Sequence, residues 1–182
     1  MVQKFINRCL SVNIWIFAIP LLLLFCVMSF LIIPRLQLQI GGELLDTSFK
    51  GYNISDVNPI MGKLGTNGRS TYLYLELLAD LPYIIFYVIT FIILIVRLLK
   101  KNKIKSEVVF FIALFPLFAG IFDFIEDISI INILVTYPEI NSDIIDFSAS
   151  ATALKGYFLV FTFLSIVINL AFLLFKKIRH YA

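Results

Sequence analysis

Four long apolar runs dominate the pattern of hydrophobic and polar positions along the chain. They cover approximately residues 11–33, 72–96, 108–135 and 151–175. Each run is long enough to form a helix across the roughly 30 Å hydrocarbon core of a bilayer, which takes about 20 apolar residues. The pattern therefore predicts an all-α membrane protein, in which four transmembrane helices form a bundle within a single domain.

The polar segments between these runs predict an outer connection at residues 34–71, a basic inner loop at 97–107, an acidic outer loop at 136–150 and a tail at 176–182. The first connection is too long for a structureless loop inside a compact domain, so we expect it to have structure of its own.

Local signals divide this long connection into three pieces. Residues 36–40 alternate between apolar and polar positions and predict a short strand. Residues 54–65 predict a short interfacial helix, with Ser55 as the capping residue at its start and a glycine at its end. Residues 66–70 predict a turn into the second membrane helix.

The first apolar run is interpreted as a membrane helix and not as a cleaved signal peptide. It is about twice as long as the 7–15-residue apolar core of a signal peptide, and no small-residue cleavage pattern follows it.

Composition agrees with the membrane assignment and charge gives an orientation. The chain is 60% hydrophobic with a mean hydropathy of +0.97, whereas soluble domains are about 45–50% apolar. Ten of the 15 basic residues lie in the N-terminal segment, the 97–107 loop and the C-terminal tail. The positive-inside rule then predicts that both termini are cytoplasmic. Nucleic acid is not an expected partner, because the basic residues lie in short stretches beside the membrane.

Several chemistries are disfavoured by residue counts. The only histidine, His180, lies next to the C-terminus, and the two cysteines, Cys9 and Cys26, belong to the first membrane helix and the segment before it. A histidine-based active site within the membrane, a cysteine-rich metal site and a disulfide framework are therefore not expected.

The motif FDFIED, residues 122–127, is the most informative sequence feature. It places Asp123, Glu126 and Asp127 inside a strongly apolar run. Carboxylates within a membrane helix are costly unless they contact partners, water or an ion. The motif therefore marks a candidate site.

Helix geometry predicts that this motif belongs to a polar layer shared by three helices. The height of a residue along a helix follows from a rise of about 1.5 Å per residue. On the second, third and fourth membrane helices, one ionisable residue lies about 26–32 Å from the basic residue at the predicted inner end of the same helix. These residues are Asp80, Asp123 and Lys155. All three therefore fall near the outer boundary of the hydrocarbon core.

Helical spacing adds neighbours to each of the three. Glu76, Asp80 and Tyr83 share one side of the second membrane helix, followed by Tyr87. Gly120 would allow another helix to approach Asp123 closely. On the fourth helix, a polar stripe consists of Thr152, Lys155, Thr162 and Asn169. We expect Lys155 to pair with Asp123 or Asp80, because an unpaired charge there is expensive.

The candidate site residues carry more acid than base. The acids are Glu76, Asp80, Asp123, Glu126 and Asp127, and the nearby bases are Lys155 and Arg69. Protonation, water or a bound Ca²⁺ or Mg²⁺ ion would offset the surplus. No cofactor is evident from a motif, and a metal ion would use Asp80, Asp123 and Asp127.

Structural explanations compete with each of these assignments. Glu76, Glu126 and Asp127 would then be solvated helix ends. Lys155 and its carboxylate would form a structural salt bridge, and Tyr83 would be a packing residue of the bundle.

Several segments together resemble a group of small bacterial four-helix membrane proteins. The matching pieces are residues 44–57, 64–73, 80–87, 122–127 and 151–155. The resemblance implies an integral protein of the bacterial inner membrane, and it implies no activity because none is assigned to that group. It draws attention to residues of the long connection, which are Asp46, Tyr52, Gly65, Gly68, Arg69 and Tyr72.

The sequence leaves three functional hypotheses open, beside a purely structural role as a partner subunit held through the apolar helices. The first is a binding or accessory protein, whose outer-leaflet acidic pocket holds a cation, an amine or a lipid headgroup. The second is a carboxylate-dependent intramembrane enzyme acting on a lipid or apolar substrate, with Asp80 and Asp123 as acid and base. The third is a subunit of a cation- or proton-coupled transporter. Expected partners are membrane lipids and a membrane protein or second copy of the chain.

Overall fold

The computed structural model describes residues 2–48, 51–104 and 106–181, and every regular element in these ranges is helical. Five helices follow in order: α1 (Val2–Ser11), α2 (Trp15–Ile40), α3 (Ile54–Lys101), α4 (Val108–Thr136) and α5 (Ser142–Tyr181). Helices α2 to α5 are long and apolar enough to cross a membrane. The all-α prediction and the predicted count of four such helices are confirmed. Lys50 and Lys105, which contribute to the predicted charge asymmetry, lie outside the described residues.

Helices α4 and α5 form the most extensively packed pair, and α3 contacts α2, α4 and α5. Large apolar side chains, such as Phe30, Val135 and Phe175, point outward from the bundle. This distribution is inverted with respect to a soluble protein and suits a surface that faces lipid.

Helix α1 packs against the C-terminal end of α3 and buries Ile6 and Cys9. Arg97 of α3 donates hydrogen bonds to the carbonyl groups of Cys9, Leu10 and Val12 at the end of α1. A cation at this position satisfies carbonyl groups that have no partner inside the helix and complements the helix dipole.

Helix α2 continues beyond its predicted end at residue 33, and the strand predicted at residues 36–40 is wrong. The segment is helical up to Ile40, and Gly41 ends it in the left-handed conformation with φ 69°. Leu36 and Ile40 are buried whereas Leu38 is 83% exposed. The alternation in the sequence was therefore compatible with a helix, because residues four apart share a helical face.

The predicted interfacial helix exists, and we refer to its residues 54–64 as the cap helix. Its capping residue is Asn53 and not Ser55. The Asn53 side chain accepts from the Ser55 amide at 2.8 Å, and the Asp56 side chain accepts from the Asn53 amide at 3.0 Å. These reciprocal bonds form a capping box, which uses Ser55 as a donor.

Gly65 ends the cap helix with φ 58°, a conformation that favours glycine. The chain then resumes a helix at once, so the turn predicted at residues 66–70 is wrong. The second membrane-spanning helix consequently starts earlier than residue 72, and the predicted long connection is reduced to residues 41–53 and the cap helix.

Helix α3 contains a π-helical turn at Glu76–Asp80. Pro82 follows it and has no backbone N–H, so the carbonyl group of residue 78 within that turn lacks its usual partner. A similar π-helical turn in α2, Met28–Ile32, also precedes a proline, at position 34. The prolines thus explain why both turns depart from the regular α-helix.

Helix α4 matches its predicted bounds closely, with a 3₁₀ segment at Val108–Leu114 before Pro116. Helix α5 starts at Ser142, well before the predicted residue 151, so residues 136–150 are mostly helical. The acids Asp143 and Asp146 lie on its exposed side, whereas Ile145 is fully buried. The exposed acids produced the loop-like sequence pattern, although the buried face is apolar.

Candidate functional site

The site begins with the π-helical turn of α3, which carries Glu76 and Asp80. Both side chains point into the bundle, where Glu76 is fully buried and Asp80 is 6% exposed. Helix α3 also contributes Tyr72 before the turn, and Tyr83 and Tyr87 after it. Helix α4 packs against this turn, and α3 as a whole also contacts α2 and α5.

Lys155 of α5 is the buried base of the site and forms two ion pairs with α4. Its Nζ lies 2.9 Å from Asp123 Oδ1 and also contacts the carboxylate of Glu126. The predicted pairing with Asp123 is therefore confirmed. The second partner, Glu126, was not predicted for this role, although it lies one helical turn from Asp123 on the same side of α4.

Hydroxyl groups complete the coordination of these two carboxylates. Tyr87 donates to Asp123 Oδ2 at 2.9 Å, and Thr152 donates to Glu126 Oε1. Each carboxylate oxygen of Asp123 thus has one donor partner. Asp123 therefore connects α4 to α3 and α5 as well as belonging to the site.

Asp46 enters the site from the connection between α2 and α3, in a 3₁₀ turn at Leu45–Thr47. Tyr72 donates to its Oδ1 at 2.6 Å. Burial raises the pKa of Asp46 and outweighs the opposing effect of this hydrogen bond. Periodicity and composition gave no signal for Asp46 in this polar segment, and only the resemblance singled it out.

A second tyrosine fastens the same connection to α5. The hydroxyl groups of Tyr52 and Ser148 lie 2.6 Å apart, and both residues are buried. Burial raises the pKa of Tyr52 to about 12. The phenol therefore stays neutral and holds the connection over the acids at ordinary pH.

The described residues include six buried acids against a single buried base, Lys155. The acids are Asp46, Glu76, Asp80, Asp123, Glu126 and Asp127. Glu76, Glu126 and Asp127 are 0% exposed, so their interpretation as solvated helix ends is wrong. An apolar cluster of the connection, the cap helix and the outer part of α4 covers them, and includes Leu44, Val57, Met61 and Ile130.

Arg69 lies away from the acids, contrary to the prediction that it offsets their charge. It donates to the Met61 carbonyl group at 2.9 Å and stacks over the Tyr137 ring at 4.6 Å. Both contacts fasten the end of the cap helix, so Arg69 stabilises the cover of the site and is not one of its charged groups.

A cavity of about 290 Å³ lies beside Lys155 between α2, α3 and α5. Its polar end is formed by Asp46, Thr47, Asp80, Asp123 and Lys155. Its apolar part is lined mainly by aromatic and aliphatic side chains, which include Phe25, Met28, Tyr83, Phe91, Leu159 and Phe163. Phe25 and Phe163 are 45% and 51% exposed on the outside of the bundle, so the cavity lies beside the exposed apolar surface.

Carboxylate oxygens suitable for a cation form two groups. Asp46, Glu76 and Asp80 make one group, and Asp123, Glu126 and Asp127 make the other, each with oxygens within 4.8 Å of one another. The predicted metal ligands Asp80, Asp123 and Asp127 are divided between them. Lys155 already pairs with two members of the second group, which leaves the first group as the more negative one.

Comparison with known proteins adds no relative to this description. No protein-family model matches the chain, and neither the curated proteins nor the solved structures contain a significant match. The resemblance to small bacterial four-helix proteins therefore stays a prediction, and the site must be interpreted from its own geometry.

Proposed function

We propose that this protein binds an amphiphilic amine from the membrane in the cavity between α2, α3 and α5. The amine head would contact Asp80, and the apolar tail would lie against Phe25, Phe91 and Phe163. The observation that carries the proposal is the composition of the cavity wall, with acids at one end and aromatic rings at the other.

Charge supports a cationic head in preference to an anionic or neutral one. Three acids and one lysine line the cavity. Lys155 is already neutralised by its ion pairs with Asp123 and Glu126. Asp80 is not one of these two partners, so its carboxylate is the group on the wall best suited to an ammonium ion.

Size and position support an amphiphile. A volume of about 290 Å³ lies at the lower end of the range of roughly 300–1,000 Å³ that small-molecule sites occupy. The exposed rims of Phe25 and Phe163 allow a chain to extend from the cavity into the surrounding lipid. A single-chain amine can therefore place its head among the acids while its tail stays in an apolar environment.

The same proposal places the protein in a bacterial inner membrane, with both termini in the cytoplasm. The basic residues of α1, of the segment 97–107 and of the C-terminal tail support this orientation. The acids and the cap helix would then lie near the outer leaflet.

Thermal unfolding in detergent tests the proposed ligand class. We expect dodecylamine to raise the melting temperature of the wild type by about 5 °C or more near saturation, because a ligand specific for the folded state stabilises it. Dodecanol and dodecanoate have the same tail without the cation and serve as ligand controls. An equal shift from dodecanol would contradict recognition of the amine.

Two variants make the test specific. Asp80→Asn should lose most of the shift, since an amide cannot neutralise an ammonium ion. Asp146→Asn changes an exposed acid of α5 in the same way and should keep the full shift. If both variants respond like the wild type, Asp80 does not bind the amine.

An intramembrane enzyme is the second candidate, and one observation favours it. Tyr87, Asp123 and Lys155 form a continuous chain of hydrogen-bonded, proton-carrying groups along the cavity wall. Such a chain can move a proton to or from a bound molecule. Comparison of membrane lipid profiles with and without the gene tests this candidate, and unchanged profiles would argue against it.

A further inference from the structure

Two carboxylates of the acid cluster are used by neither the ion pairs nor the cavity wall. Glu76 of α3 and Asp127 of α4 are 0% exposed. No hydrogen-bond partner among the described residues reaches any of their four oxygens. Buried polar groups nearly always have partners, so these four oxygens require a partner that the described residues do not supply.

The two carboxylates belong to different groups of acids. Asp127 lies with Asp123 and Glu126, both of which pair with Lys155. Glu76 lies with Asp46 and Asp80, and oxygens of these three acids lie within 4.8 Å of one another. The unpartnered oxygens of Glu76 therefore belong to a cluster of three acids between α3 and the connection before it.

Among the described residues, no base forms an ion pair with this cluster. Lys155 contacts Asp123 and Glu126 on the other side of the site, and Arg69 contacts the cap helix and Tyr137. Several ionised carboxylates at close range in an apolar surrounding strongly repel one another. A bound cation would remove this repulsion and provide partners for the free oxygens.

The donor set indicates which cation fits. All candidate ligands are carboxylate oxygens, which hard cations prefer, and no nitrogen or sulfur ligand accompanies them. Ca²⁺ binds oxygens at about 2.3–2.6 Å, so ligands on opposite sides of the ion lie about 4.6–5.2 Å apart. The oxygens of Asp46, Glu76 and Asp80 that lie within 4.8 Å of one another are close enough to share one such ion.

We propose that Asp46, Glu76 and Asp80 bind a Ca²⁺ ion that joins α3 to the connection between α2 and α3. Mg²⁺ fits less well, because it demands octahedral geometry and retains several waters. Three carboxylates, some of them bidentate, supply most of the six to eight oxygens that Ca²⁺ takes, and water supplies the rest. The ion would stabilise the cover of the cavity, and it would share Asp80 with the proposed amine.

Equilibrium dialysis of the wild type in detergent with ⁴⁵Ca²⁺ tests the site directly. We expect saturable binding of about one ion per chain that excess Mg²⁺ displaces poorly. Tb³⁺ can replace Ca²⁺ as a luminescent probe, because Tyr72 lies against Asp46 and can transfer excitation to it. Absence of saturable Ca²⁺ binding to the wild type would overturn the proposal, whatever the variants do.

Neutral variants locate the ion. Glu76→Gln should lower Ca²⁺ affinity at least tenfold, and it should lose the increase of several degrees in melting temperature that Ca²⁺ gives the wild type. Asp146→Asn is the matched control and should retain both. Unchanged Ca²⁺ affinity in Glu76→Gln would place the ion elsewhere and overturn the assignment.

The same variants separate this inference from the amine proposal. Neither Glu76 nor Asp127 lines the cavity, so Glu76→Gln should still bind dodecylamine in Ca²⁺-free buffer. If Ca²⁺ binding fails while the amine shift persists, only the cation site is wrong. If the amine shift fails while Ca²⁺ still binds, only the cavity ligand is wrong.

Discussion

Lys155 forms ion pairs with two buried carboxylates, so we expect the stability of the bundle to depend strongly on this side chain. It is 7% exposed and contacts both Asp123 and Glu126. Removal of one partner from a buried ion pair leaves an uncompensated charge, which usually costs more than the pair contributed.

Lys155→Met should therefore lower the free energy of unfolding by about 3–5 kcal/mol. The methionine retains most of the apolar stem, so the loss reports the charge. Unfolding in detergent measures the effect, with the exposed Lys177→Met as the matched control.

A triple variant checks that the loss comes from the unpaired carboxylates. Stability should be restored when Lys155→Met is combined with Asp123→Asn and Glu126→Gln, because no charge is then left without a partner. If Lys155→Met unfolds like the wild type, the ion pairs do not form.

The sequence predicted this residue-scale chemistry in part. Lys155 and Asp123 were found because a charge inside an apolar run is costly, and the height of each on its helix follows from a fixed rise per residue. Asp46 was missed by such reasoning, because it lies in a polar segment where an acid costs nothing. Only the folded connection buries it against Tyr72.

Helices α3 and α4 are in close contact at Gly120. A Cβ atom there would overlap with the Val88 side chain and lie 3.3 Å from Ile84 Cγ2. The close approach is what brings Tyr87 of α3 within reach of Asp123 of α4. The predicted role of Gly120 in helix contact is confirmed.

Gly120→Ala should separate these helices and destabilise the protein by about 1–3 kcal/mol, the usual cost of overpacking. The matched control is Gly62→Ala in the cap helix, where a Cβ atom meets only the Tyr137 hydroxyl at 3.8 Å. Alanine is the better helix former, so this control should be neutral or slightly stabilising. Thermal unfolding compares them, and equal effects of the two substitutions would contradict the close contact.

Element boundaries were harder to predict than element types. The runs of apolar residues fix four membrane helices, because length and hydropathy are properties of each segment alone. The ends of α2 and α5 depend on tertiary contacts. Leu36, Ile40 and Ile145 continue the helices because they are buried beneath the cap helix or beside it, which the local sequence does not encode.

At the scale of the whole molecule, the cap helix and the connection before it cover the buried acids at one end of the bundle. Gln39 donates to the Leu64 carbonyl group at 2.7 Å, and Lys63 donates to the Ile40 carbonyl group at 2.9 Å. These contacts join the end of α2 to the end of the cap helix. This cover explains how the acids at that end of the bundle are buried.

The proposed orientation predicts which loops are accessible from outside the cell. In a background with Cys9→Ser and Cys26→Ser, a membrane-impermeant maleimide should label Glu139→Cys on intact spheroplasts, because the α4–α5 connection would face outward. Lys101→Cys should react only after lysis. The reverse pattern would invert the topology and place the acidic layer at the inner leaflet.

The central claim is that the acid-lined cavity binds an amphiphilic amine, and equilibrium binding in lipid nanodiscs tests it most directly. Radiolabelled dodecylamine is titrated into nanodiscs with wild type, Asp80→Asn or Asp146→Asn, and into empty nanodiscs to measure partition into lipid. We predict saturable binding of about one amine per chain for the wild type and Asp146→Asn, and a linear uptake equal to that of empty nanodiscs for Asp80→Asn. Linear uptake by the wild type as well would contradict the account.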